Sequence, residues 1–167
     1  VWLVNHMVDT GFINTIREIW WDVRPHHNFG TVEVRVCDMR GNVQDVLGIA
    51  ALVQCLVQAL STQIDEGAYQ HDCHPMMVRQ NKWRACRFGR AASMVNTYTF
   101  EVQSVSQVVV ELVDRLRPHA RQLGCTPFLE HVLHMAHSPA WSDVQMEVLD
   151  ETNDRAEVVR RLSALSR

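Results

Sequence analysis

The chain has 167 residues, 47% of them apolar and 21% charged, with a net charge of −3. That is enough for one domain with a true core, and the mild acidity gives no reason to expect a nucleic-acid partner. Lys82 is the only lysine among 16 basic residues and no GxxxxGKS/T loop is present, so any phosphate contact falls to arginine, backbone or metal.

Five cysteines, Cys37, Cys55, Cys73, Cys86 and Cys125, lack CxxC spacing, which predicts reduced thiols and a cytoplasmic protein. The most apolar run, residues 46–60, contains Gln54 and Gln58 and is too short to span a bilayer, so no membrane partner is expected. The sequence opens at Val1, with no methionine or charged segment ahead of its first apolar residues. No signal peptide is expected, and the chain reads as a piece of a longer protein.

In chain order, residues 1–16 read as a short apolar helix or an extended lead-in, with Gly11 as a break. Residues 18–38, EIWWDVRPHHNFGTVEVRVCD, read as two strands, around which the rest is organised. In the second strand Thr31, Glu33, Arg35 and Cys37 alternate with Val32, Val34 and Val36. A period of two puts the valines on one face and the acid and guanidinium together on the other. In the first, Glu18, Trp20, Asp22 and Arg24 share a face, with Ile19, Trp21 and Val23 opposite. The loop at 25–30, with Pro25, Asn28 and Gly30, is longer than a tight hairpin, and antiparallel pairing is expected. A solvated face would explain such charges; the density of reactive groups beside two tryptophans makes this one a candidate site.

Asn42 is placed to cap a helix over 43–64, apolar most of the way round and so expected to be buried, against the valine face of the sheet. His71, Cys73 and His74 sit in a polar connection, but adjacent loop residues rarely make a tetrahedral site alone, so no zinc centre is expected. His131, His134 and His137 lack a metalloprotease signature and read as surface or capping residues. Residues 76–88 should form an arginine-rich helix, and 98–102 a short strand or flap. Ser104 with Gln107 has the form of a capping box ahead of a regular apolar stripe. Pro118 is expected to start a further turn closed by Gly124, and Thr126-Pro127 a helix through about Ala136. Asp143 and Asp154 are expected to begin the last two helices. The fold class is therefore α+β: an antiparallel sheet and a largely helical C-terminal part, in a single domain over 1–167 with the strands in 1–41.

Three stretches in order, TGFINTIREIWWDVRP, WWDVRPHHNFGTVEVRVCD and NKWRACRFG, resemble the carboxylate–amine ligases related to the second, bacterial type of glutamate–cysteine ligase. The resemblance implies part of a glutamine-synthetase-like fold, with a sheet curved into a funnel and ATP and metals on its concave side. It implies Glu33 as a metal ligand, and Arg35 as the residue contacting the transferred phosphoryl group or the substrate carboxylate. For Asp22, Arg24 and Asp38 it implies only proximity. Asn81, Trp83 and Arg84 match the downstream motif, and Arg84 is expected to lend the nucleotide site positive charge. The family's N-terminal half carries an acid-rich strand with further metal ligands, and no counterpart precedes Val1. The chain thus resembles the C-terminal half of such an enzyme, expected to need its other half, to self-associate, and to be inactive alone.

Joining a carboxylate to an amine requires activation, because hydroxide is a poor leaving group. ATP supplies it by forming an acyl phosphate that the amine displaces. Mg2+ held by carboxylates, together with arginine clamps, gathers the negative charge. Glu33 and Arg35, one residue apart on one strand face, suit that division of labour. The expected function is ATP-dependent ligation with Mg2+, glutamate as the acid, cysteine as the amine and small amino acids as the binding partners. The alternative is a non-catalytic helical module whose charged sheet face docks a partner.

Overall fold

The structure, a computed structural model, describes residues 2–26, 29–68 and 74–166. It divides into two compact units, Val1–Met39 and Arg40–Arg167. The fold class is α+β, with two small antiparallel sheets beside seven α-helices among the described residues.

In the first unit, α1 spans Trp2–Asp9, and Gly11 at φ 73 breaks the chain as expected. A 3-10 turn at Ile16–Glu18 follows, then β1 (Val23–His26) and β2 (Thr31–Val34), paired antiparallel. Val4, Ile13 and Ile19 form its small core, flanked by Met7 and Ile16. Two details differ from the sequence reading. Glu18 does not belong to a strand: its carboxylate accepts from the backbone N–H groups of Asn14 and Thr15, both at 3.1 Å, while Thr15 caps the same turn. Local side-chain capping here outcompetes strand alternation. The strands are also shorter than read, although the bond from Arg35 N to Asp22 O, 2.7 Å, carries the pairing one step further.

The second unit is built on three helices. α2 (Val43–Asp65), capped by Asn42, packs on α4 (Val105–Leu123) and α5 (Thr126–His137). Ala51 and Cys55 of α2 meet Val113, Leu116 and Ala120 of α4 and Leu129 and Val132 of α5, with Cys125 at the α4–α5 corner. Within this unit the partners of α2 are the helices α4 and α5. By length and hydropathy alone α2 could cross a membrane, since it extends beyond the apolar run on which the sequence reading rested.

α4 also corrects an expectation. It runs through Pro118 without a break and is closed by Gly124 in the left-handed conformation. An interior proline costs about 3 kcal/mol or more. Here Val113, Leu116 and Ala120, all buried on both sides of that position, hold the helix together. The Ser104–Gln107 capping box is present as expected.

α3 (Pro75–Phe88), with His74 as its cap, carries a hairpin of β3 (Ser93–Val95) and β4 (Val102–Ser104) where one short strand or flap was read. α6 (Trp141–Thr152) begins two residues before Asp143, whose carboxylate accepts from Ala140 N. α7 (Arg155–Leu165) is capped by Asp154 as expected.

Candidate active site

The two strands bring Glu33 and its neighbours together through register. Arg24 stands directly opposite Glu33, while Val23 faces Val34 and Pro25 faces Val32. Period two therefore does separate charges from valines, but the charged face is the more covered one. The Arg24 side chain is 12% exposed, whereas Val32 is 61% exposed.

Glu33 lies between two guanidinium groups. Arg24 Nη2 donates to Oε2 at 2.5 Å and Arg35 Nη1 donates to Oε1 at 3.3 Å. Arg35 also rests over the Trp20 ring, 5.1 Å from its centroid. Arg24 Nη1 reaches back to the carbonyl of Arg17 at 3.4 Å, tying the strand pair to the 3-10 turn. Arg24 Nε is buried and has no hydrogen-bond partner among the described residues. A buried donor without an acceptor costs about 1–3 kcal/mol, so an oxygen-rich anion at this face would relieve it. Two guanidinium groups flank this one carboxylate, with Asp22 on the same face, and their planar forks are suited to phosphate or carboxylate.

Among the described residues no three metal-ligating side chains come together, and each Glu33 oxygen already accepts from an arginine. Glu33 by itself does not make a magnesium site. Cys73 and His71 lie outside the described residues, and His74 Nδ1 accepts from Met76 N as a helix cap. Asp38 accepts from its neighbour Met39 N.

The downstream motif lies in the second unit, where its local work is structural. Asn81 brackets Val95, its Nδ2 donating to Val95 O at 2.7 Å and its Oδ1 accepting from Val95 N at 2.9 Å. Arg84 Nη1 donates to Ser93 O at 2.8 Å, so both residues fasten β3 to α3. Trp83 packs edge-on against Phe88.

The second unit also holds a cluster that sequence reasoning missed. Asp45 is buried and accepts from Arg40 Nη2 (2.9 Å), from His131 Nε2 (2.9 Å) and from Trp141 Nε1 (3.1 Å). Burial alone would raise its pKa, but the bonds from His131, Trp141 and Arg40 outweigh that and hold it at about 2. His131 is thus a buried-acid partner and not a surface group. The one local signal was an acid in the first turn of an otherwise apolar helix.

Against this geometry, the comparisons are specific. The model of glutamate-cysteine ligase family 2 matches residues 2–163. A Gloeobacter violaceus protein named "Putative glutamate--cysteine ligase 2" is 34% identical over 97% of this chain and 44% of its own length. Proteins of Frankia casuarinae and Frankia alni, each named as a ligase "2-1" of the same kind, are 42% and 45% identical over 80% and 76% of this chain. These alignments cover 35% and 33% of the two Frankia proteins, so the chain spans less than half the length of these relatives. Matched across nearly its whole length, the chain belongs to glutamate-cysteine ligase family 2.

Proposed function

We propose that this chain supplies the C-terminal part of an ATP-dependent carboxylate–amine ligase, built on a glutamine-synthetase-like fold, that forms an amide, γ-glutamyl in kind, through an acyl phosphate. The observation that carries it is the Arg24–Glu33–Arg35 arrangement inside the family's matched segment. In this reading Arg35, braced by Glu33 and Trp20, grips the phosphoryl group or the substrate carboxylate. Glu33 orients both guanidinium groups, and the buried Nε of Arg24 supplies a further donor to the same anion. ATP, when bound, provides the phosphoryl group that activates the acid. The metal role expected for Glu33 needs further carboxylates, which the described residues do not gather beside it. Arg84, held on Ser93, remains a proposed contributor of positive charge.

A second reading, in which the face docks another protein segment, draws on the exposure of Trp2, Phe12, Trp20 and Val32 in the first unit. ADP release separates the two. Measured with ATP, L-glutamate and L-cysteine on the chain combined with an N-terminal half, Glu33→Gln and Arg35→Ala should each reduce it at least a hundredfold, on the order of 3 kcal/mol of transition-state stabilisation. Unchanged turnover in both variants would reject the catalytic reading and leave the docking one.

A further inference from the structure

A hollow of about 520 Å³ lies in the first unit, away from the Glu33 carboxylate but tied to it. Its construction follows from helix geometry. Val4, Asn5, Val8 and Asp9 recur at the three- and four-residue spacings that put side chains on one face of α1. Across from them the chain returns through Asn14, Thr15, Ile16 and Arg17, and His26 of β1 completes the lining. The lining thus sets apolar Val4, Val8 and Ile16 beside polar and charged groups.

Two charged groups of the lining, Asp9 and Arg17, carry no ion pair among the described residues. The Arg17 backbone, by contrast, is fixed on both sides. Its N–H donates to Thr15 Oγ1 at 3.2 Å, and its carbonyl accepts from Arg24, the residue that also holds Glu33. One acid and one guanidinium, neither ion-paired and of opposite charge, with two amides beside apolar residues, match a small molecule carrying both charges. Concave sites of this size where polar groups converge beside apolar ones are the usual form of small-ligand sites.

We infer that this hollow is an amino-acid subsite, with Asp9 receiving the α-ammonium and Arg17 the α-carboxylate of a substrate. The inference rests on the ligase reading above and names where one substrate is held. Arg24 links the subsite to the strand pair, its Nη1 donating to the carbonyl of Arg17 and its Nη2 to Glu33. Arg17 suits the carboxylate through its planar fork, and Asp9 offers the ammonium a compact acceptor.

The test is binding without ATP, followed by amide chemical shifts of the 15N-labelled chain. L-cysteine is compared with cysteamine, which lacks the carboxylate, and 3-mercaptopropionate, which lacks the ammonium. L-glutamate is compared with 4-aminobutyrate and glutarate in the same way. At least one intact amino acid should shift the amides of Asn5, Asp9, Asn14 and Arg17, and its two truncated analogues should bind at least tenfold more weakly. Arg17→Ala should reproduce the loss seen on removing the carboxylate, and Asp9→Asn the loss seen on removing the ammonium. The analogue series uses the unaltered chain, so it stands even if a variant misfolds. Absent shifts at these residues, or truncated analogues binding as well as the amino acids, would overturn the subsite. Such a failure with ADP release still dependent on Glu33 would leave the ligase reading intact. Binding here with turnover indifferent to Glu33 and Arg35 would do the reverse.

Discussion

Replacing Asp45 with alanine should destabilise the helical unit severely. The carboxylate side chain is 8% exposed and accepts from Arg40, His131 and Trp141. Burial pushes its pKa up and those donors pull it further down, from 3.8 to about 2. A depression of about two units corresponds to roughly 2–3 kcal/mol of stability at neutral pH. Because the folded pKa is the lower one, that contribution is complete above the ordinary pKa of 3.8 and disappears as the pH falls through about 2. Alanine also leaves a half-buried guanidinium and an indole N–H without their acceptor, which brings the expected loss to about 3–5 kcal/mol. Asparagine keeps the volume and one acceptor oxygen and should cost about 2 kcal/mol. Urea denaturation followed by helical circular dichroism, at pH 7 and at pH 3, measures both terms. The unaltered chain should lose stability on acidification, and Asp45→Asn should lack that increment. An alanine variant within about 0.5 kcal/mol of the parent, as for an ordinary surface change, would refute the reasoning. So would an identical acid loss in Asp45→Asn.

Three further outcomes follow from the packing and burial of named residues. A Cβ at Gly41 would come within 2.4 Å of the Trp141 ring, which Asp45 holds in place, so Gly41→Ala should cost about 1–3 kcal/mol and lower the thermal midpoint. Gly124→Ala meets open space at φ 68 and should cost only about 1 kcal/mol of backbone strain; equal losses at the two positions would contradict the packing. Cys55 and Cys125 face each other at 3.6 Å in the core, and burial together with Cys125 pushes the Cys55 thiol up to about 11. Alkylation with iodoacetamide at pH 8, read by peptide mass spectrometry, should therefore mark the exposed Cys37 and Cys86 and reach the buried pair only on unfolding. Native-state labelling of Cys55 as fast as Cys37 would count against that core.

What the sequence determined by itself is whatever depends on neighbours along the chain. The alternation over 31–37 put Glu33 and Arg35 on one face, because side-chain direction in a strand has a period of two. Asn42, the Ser104–Gln107 pair, Asp154 and Gly124 marked helix ends, because capping bonds span only two or three residues. Tertiary structure decided the rest. Which face of the strand pair is covered could not be read from alternation, and the valines turned out exposed while Arg24 is enclosed. Pro118 was expected to interrupt a helix that continues, because packing from two other helices outweighs one lost backbone bond. The Asp45 cluster joins His131 and Trp141 to an acid 86 and 96 positions away. No local pattern encodes such a meeting; only packing α2 against α5, with Trp141 brought alongside, places a charge where burial must be offset by partners that the fold alone delivers.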